Sequence, residues 1–294
     1  MNDFSYDEAF SRNIGWLTAA EQRALRGKRV AIAGLGGVGG VHLLTLARLG
    51  IGAFSIADFD TFDVANFNRQ VGALMSTVGR PKAEVLAKAA LDINPELDLQ
   101  LFREGVSDQN LDRFLAGADL YVDGLDFFAV DARRNTFKAC ARLGIPAVTA
   151  APLGMGAALL TFLPGRMTFE EYFQLDNRSS EEQAIRFLLG LSPRMLQRTY
   201  LVDANAVAFG EQRGPSTVMA CQLCAGMAAT EALKIMLKRG KVYAAPMVVH
   251  FDAYRSKLTR TWRPWGNRNP IQRAAIAIAR RQLGIRRRTG RPSA

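Results

Sequence analysis

Residues 29–40, Arg29-Val30-Ala31-Ile32-Ala33-Gly34-Leu35-Gly36-Gly37-Val38-Gly39-Gly40, decide the fold. A five-residue apolar strand runs into a turn with glycines at 34, 36 and 39. A helical pattern follows over 41–49, and a second apolar strand over 53–57 ends on Asp58. In such a unit the first glycine permits the tight turn, the second lets the backbone approach a phosphate, and the third lets helix and strand pack closely. The helix directs its free N–H groups at the anion. A carboxylate about twenty residues on accepts hydrogen bonds from ribose hydroxyls. Gly34, Gly36, Gly39 and Asp58 are therefore the predicted nucleotide-binding residues.

Outward from this unit, strand and helix signals alternate. Strands are predicted at 29–33, 53–57, 97–102, 119–122 and 145–149, and helices at 38–49, 80–92, 107–116 and 128–143. Alternation of this kind predicts an α/β fold, a Rossmann-like, mostly parallel sheet with helices on both faces. Ligands of such sheets bind at the C-terminal ends of the strands. Gly34, Asp58, residues 123–126 and residues 150–154 are expected on that rim. Past Ala150 the pattern changes. A strand is expected at 157–163, then an irregular excursion over 164–214 containing a helical stretch at 181–189. A long buried helix is expected at 216–238 and two late antiparallel strands at 247–251 and 257–262. Upstream, Thr18 and Glu21 make a capping box that starts a short helix ending near Gly27.

Hydrophobic residues make up 49% and charged residues 22% of the 294-residue chain, ordinary for a globular protein. No apolar run is read as a membrane span, and no signal-peptide pattern is read at the N-terminus. Three cysteines, Cys140, Cys221 and Cys224, are too few for a disulfide framework and point to a reducing cytoplasm. The net charge of +11 is localised: residues 255–294 hold twelve Lys and Arg and no acid, leaving 26 basic and 27 acidic groups in the rest. The basicity belongs to the C-terminal tail, which weakens a nucleic-acid reading and leaves an acidic partner or a membrane surface open. The expected organisation is a domain at 1–263 and a basic tail at 264–294. Ile271, Ala274, Ala275 and Ile278 form a narrow apolar stripe in that tail, read either as a partner or membrane helix or as a solvated end.

Two cations separate this site from an ordinary dinucleotide fold. Asn66-Phe67-Asn68-Arg69-Gln70 and then Lys82 follow the second strand. Fixed positive charge beside a glycine loop stabilises a leaving pyrophosphate, which a dehydrogenase has no need to do. Asp126, in Asp123-Gly124-Leu125-Asp126, stands where a carboxylate holds Mg²⁺ on phosphate oxygens. By spacing alone it is equally the cap of the next helix. His42 and His250 have no partner in sequence and are read as structural.

Together these motifs, with Asp58-Phe59-Asp60 and Gly79-Arg80-Pro81-Lys82-Ala83-Glu84, resemble the ThiF/MoeB/HesA adenylyltransferases, relatives of ubiquitin-activating enzymes. The resemblance covers residues 5–165 well and the helix at 216–238 more loosely. It implies ATP and Mg²⁺ as the site's ligands. It implies attack of a carboxylate on the α-phosphorus, giving an acyl-adenylate and pyrophosphate, and a homodimer. Residue by residue it makes Asp58 the ribose ligand, places Asn66 and Arg69 beside the phosphates with Gln70 supporting them, and gives Lys82 a phosphate contact. Asp126 becomes the aspartate needed for Mg²⁺·ATP, and Arg12 resembles an arginine reaching into the partner's site. The typical substrate is the C-terminus of a ubiquitin-like or sulfur-carrier protein. A variant, the tRNA threonylcarbamoyladenosine dehydratases, activates a carboxylate on tRNA. A nicotinamide- or flavin-binding oxidoreductase and a non-catalytic adaptor are the readings from other classes.

Three departures from the family pattern stand out. Many members bind zinc through two Cys-x-x-Cys pairs, and only Cys221-Gln222-Leu223-Cys224 is present, so no zinc site is expected. No cysteine lies between Ala150 and Pro215, so adenylation without an enzyme thioester is expected. Phe127 follows Asp126 where many relatives carry a polar residue.

Overall fold

The computed structural model describes residues 4–203, 206 and 214–282. The parts of the excursion and tail expectations that fall on 204–205, 207–213 and 283–294 lie outside the described residues. The strands are β1 (Arg29–Ala33), β2 (Ala53–Ala57), β3 (Asp98–Phe102), β4 (Leu120–Asp123), β5 (Ala147–Leu153), β6 (Gly156–Phe162), β7 (Met247–Asp252) and β8 (Lys257–Trp262). They form one sheet in the order β3-β2-β1-β4-β5-β6-β7-β8. β1 to β5 pair in parallel, and β6, β7 and β8 add antiparallel to that block. The described α-helices are α1 (Tyr6–Ala9), α2 (Ala19–Arg26), α3 (Gly39–Arg48), α4 (Lys82–Ile93), α5 (Leu111–Phe114), α6 (Val130–Leu143), α7 (Phe169–Phe173), α8 (Ser180–Leu191), α9 (Val218–Met236) and α10 (Pro270–Gln282). The fold is the predicted Rossmann-like one, with the late antiparallel extension.

The register sets the rim. Ala33 of β1 pairs with Ala57 of β2 on one side and with Asp123 of β4 on the other. Three strands therefore end level, and the chain order reverses between β1 and β4, where a doubly wound sheet opens a crevice. Side chains alternate between two cores. Val30 and Ile32 pack with α3, α4 and α9, whereas Ala31 and Ala33 face the side holding Tyr121, Phe137 and Phe187. A sheet covered on both faces explains why β1 and β4 read as continuous apolar runs.

Two expected boundaries moved. The strand expected at 145–149 runs on to Leu153, because β6 pairs with it antiparallel from Ala147↔Phe162 to Leu153↔Gly156. Residues 150–153 are thus an overhanging hairpin, and Gly154 makes its turn at φ +63°. The helix expected at 107–116 shrinks to four residues. Asn110 spends its side chain on a turn instead, accepting from Ser107 N at 2.8 Å and donating to Gly105 O at 2.8 Å. The capping box of α2 forms as read, with Thr18 Oγ1 accepting from Glu21 N and Glu21 Oε2 from Thr18 N.

The helix expected at 216–238 is α9, which alone among the described helices is long and apolar enough to cross a membrane. This differs from the expectation that no apolar run is long enough to span a membrane. In this fold α9 packs on β5, β6 and α3, its Ala and Cys positions filling the core. The outermost helix, α10, docks on α8. Ile276 joins Ile185 and Leu189, and Gln272 Nε2 donates to Leu189 O at 2.7 Å. Of the stripe read from sequence only Ala275 packs against this contact, while Ala274 is exposed and Ile271 and Ile278 are 66% and 54% exposed. His42 and His250 are buried, and burial pushes both rings down to about 4.

Candidate active site

Three glycines interlock at the switch point. Gly34 has φ +81°, and a Cβ there would lie 2.4 Å from Gly124 O. A Cβ on Gly39 would lie 1.7 Å from Gly34 O, and one on Gly124 2.3 Å from the same oxygen. The turn after β1, the start of α3 and the turn after β4 therefore touch through backbone alone. Asp58, at the end of β2, ties the loop down: Leu35 N donates to its Oδ2 at 2.6 Å and Asp60 N to its Oδ1 at 2.8 Å. Burial pushes the Asp58 carboxyl up, opposed by those two N–H groups and by the Lys82 charge. Each carboxylate oxygen carries two lone pairs, so acceptor capacity toward a ribose remains.

Lys82 opens α4 and is only 6% exposed. Its Nζ lies 3.0 Å from Asp60 Oδ2, and its backbone N donates to Asp60 O at 2.9 Å. Arg69 lays its stem along the loop, its Cγ 3.5 Å from where a Gly37 Cβ would sit. The Arg69 guanidinium donates to Ala65 O and Asn68 Oδ1. Gln70 is buried beside Gly36, and its Oε1 has no partner. Asp126 is exposed on the turn after β4, and its Oδ1 accepts from Phe128 N at 2.9 Å. It is not the cap of α6, whose N-cap is Ala129. Asp126 shares its turn with Gly124, which touches Gly34 and Gly39, so loop, cations and carboxylate converge on one rim.

Of two further expected site residues, one is partly committed to a local turn and one stands apart. Asn66 spends its Oδ1 on Asp63 N at 3.0 Å, closing the 3₁₀ turn Val64–Asn66. Arg12 is exposed in the 3₁₀ turn Ser11–Asn13, next to the C-terminal end of α3, where Asn13 Nδ2 donates to Leu49 O. A ten-residue helix of about 15 Å separates that end from the glycine loop. Arg12 does not enter the site of its own chain.

Sequence reasoning overlooked Asp60, Gly124 and Arg133. Asp60 lay inside a quoted motif, but its partner Lys82 is 22 residues away. Gly124 also lay inside one, and only the sheet order brings it to Gly34. Arg133 left one signal, an arginine between Val130 and Phe137 on the apolar face of α6.

The residues fit a polyphosphate. Gly36 is open, with nothing but Gln70 Nε2 within 4 Å of its would-be Cβ, at 3.8 Å. The nearest side-chain atom, Gln70 Nε2, is an N–H donor suited to an anion, Arg69 lies against Gly37, and Lys82 lies beside Asp60. Among the described residues no group of three His, Cys, Asp or Glu is placed to hold a metal by itself. The exposed Asp126 carboxylate suits a Mg²⁺ whose remaining ligands are phosphate oxygens and water.

All three thiols are buried: Cys221 and Cys224 in α9 and Cys140 in α6. Burial pushes the Cys221 and Cys224 thiols up, so neither is a ready thiolate. An Ellman titration of the native protein is expected to find no fast-reacting thiol, and three after unfolding in guanidinium.

Fold and site together define a nucleotide-binding Rossmann-like protein with two cations and a carboxylate gathered at its glycine loop. The chain belongs to the ThiF family, whose profile matches residues 10–274. Similar curated proteins include the tRNA threonylcarbamoyladenosine dehydratase of Bacillus subtilis (strain 168), 33% identical over 150 residues, 51% of this chain and 57% of that one. The sulfur carrier protein ThiS adenylyltransferase of Escherichia coli (strain K12) is 32% identical over 143 residues, 49% and 56% of the two chains. The chain spans a little over half the length of each of these two relatives. The crystal structure of PaaA superposes with a TM-score of 0.68 at 18% identity, over 89% of this chain and 84% of that one, a likeness of fold.

Proposed function

We propose that the protein adenylates a carboxylate with ATP, releasing pyrophosphate. The observation that carries this reading is Arg69 against the glycine loop and Lys82 beside Asp60, with Asp126 on the turn whose Gly124 touches that loop. Two cations there neutralise charge building on a departing pyrophosphate, at a site that supplies positioning rather than covalent chemistry. Asp58 fixes the loop and would accept hydrogen bonds from the ribose of a bound nucleotide. Asp126 would hold Mg²⁺, which when bound shields the phosphate oxygens. The carboxylate is proposed to be the C-terminus of a small carrier protein. The likeness to tRNA threonylcarbamoyladenosine dehydratases supports a second reading, a carboxylate on tRNA. A gel shift with tRNA that persists after removal of residues 283–294, beyond the docked α10, would favour that second substrate. The test of the main reading is ATP–pyrophosphate exchange in the presence of candidate carrier proteins or tRNA. Tight NAD binding with no uptake of ATP would overturn it.

The working form is proposed to be a homodimer, supported by the distance of Arg12 from its own site. Arg12 then serves the partner's nucleotide. In that arrangement Arg12→Ala and Lys82→Ala are each inactive alone. Mixed and re-equilibrated in equal amounts, they recover about a quarter of wild-type exchange, because half the dimers are hybrids with one intact site each. No recovery in a mixture shown to exchange subunits would place Arg12 outside the site.

A further inference from the structure

We propose that Arg133 is the positioning residue for Asp126, fixing the turn 123–127 in the shape the site uses; this rests on the adenylation reading above. Arg133 sits on the apolar face of α6 and is 3% exposed. Its Nε donates to Asp123 Oδ2 at 2.7 Å. Its Nη2 donates to Leu125 O at 2.6 Å and Asp126 O at 3.0 Å, and its Nη1 to Phe127 O at 3.3 Å. One guanidinium thus holds a buried carboxylate and the carbonyls of three consecutive residues, with Asp126 in the middle.

The anchor is itself fixed. Asp123 also accepts from Thr149 Oγ1 at 2.9 Å and from Leu125 N at 3.2 Å. On its other side the guanidinium lies 4.7 Å from the ring centroid of Phe187, on α8. Phe187 also packs on Phe127 at 5.3 Å. The floor of the turn therefore comes from the excursion between β6 and α9.

Stability alone is a weak reason to bury this pair, since a buried ion pair rarely outperforms apolar packing of the same volume. A lysine would satisfy Asp123. Only a planar fork with five donors reaches Asp123 and all three carbonyls at once. Such a clamp gives Asp126 a fixed backbone, so its exposed carboxylate meets Mg²⁺·ATP already oriented. Arg133 touches no substrate and acts through Asp126.

Arg133→Lys separates charge from clamp. The variant is expected to fold, with amides 125–128 exchanging hydrogen at least about tenfold faster while those of β4 and α9 keep wild-type protection. Mg²⁺·ATP binding by calorimetry is expected to weaken about tenfold in Arg133→Lys and to show no further loss when the change is made in Asp126→Asn. Unchanged exchange at 125–128, or equal loss of Mg²⁺·ATP affinity in both backgrounds, overturns the proposal. If the wild type takes up no Mg²⁺·ATP, the adenylation reading fails with it. The exchange data then still decide whether Arg133 holds the turn. If Arg133→Lys does not fold, the near-isosteric Thr149→Val removes the hydroxyl that fixes Asp123, the carboxylate anchoring the guanidinium. It is expected to speed the same amides about threefold, and no change there overturns the proposal.

Discussion

Lys82→Met and Asp126→Asn are each expected to lower ATP–pyrophosphate exchange by about 10³-fold, with unfolding midpoints within a few degrees of wild type. Removing one group preorganised against developing charge costs about 10²–10³ in rate, and both groups act on the same triphosphate. These two substitutions isolate charge from structure. Methionine keeps the buried stem of Lys82 and loses only the ammonium. The carboxylate left behind, Asp60, is half exposed, so losing its partner costs the fold little. Asparagine keeps the Oδ1 acceptor that closes the turn onto Phe128 N. If Asp126 were only a turn former, Asp126→Asn would be fully active. Undiminished exchange in both variants would show that the chemistry lies elsewhere on the rim.

The reach of the sequence follows the reach of the contacts. The unit from β1 through α3 to Asp58 was legible because each contact in it is short in sequence. The Leu35–Asp58 bond spans 23 residues within one motif. Alternation gave the parallel sheet for the same reason, α3, α4 and α6 each being the crossover between neighbouring strands, while the return from β3 to β4 past β1 was not legible. Gly124 was named as part of a motif but not understood, because its steric partners Gly34 and Gly39 sit some 90 residues earlier. Arg133 makes the point from another side. A buried arginine looks like any helical arginine until Asp123, Phe187 and the carbonyls 125–127 are in place around it. Asn66 shows the converse. The resemblance set it beside the phosphates, yet its Oδ1 is committed to a local turn. The stripe on α10 was also seen, but periodicity alone did not tell that of its members only Ala275 meets α8, nor which residues lead that contact. Ile276 and Gln272 took that role through contacts with a helix about 90 residues away.

Gly36→Ala and Gly39→Ala are expected to fail in different ways, and the difference tests whether this loop holds phosphate. At Gly39 the new Cβ would fall 1.7 Å from Gly34 O and 3.4 Å from Gly124 Cα. Both neighbours are backbone at a sheet switch point and cannot swing aside as a side chain would. Gly39→Ala is therefore expected to lose at least about 3 kcal/mol of stability, read by denaturant unfolding. At Gly36 no neighbour but the tip of Gln70 lies within 4 Å of the new Cβ, and its φ is not in the left-handed region. The folded chain accepts that methyl group, and stability is expected to stay the same or rise by up to about 1 kcal/mol as the unfolded chain loses freedom. Only a ligand resting its phosphate on that backbone would meet the methyl. ATP affinity in Gly36→Ala is expected to fall about 100-fold, close to 3 kcal/mol, in a protein as stable as wild type. A methyl group with no effect on ATP uptake would mean that nothing lies against Gly36. The open face of the loop would then be a surface, and the two cations beside it would need another anion.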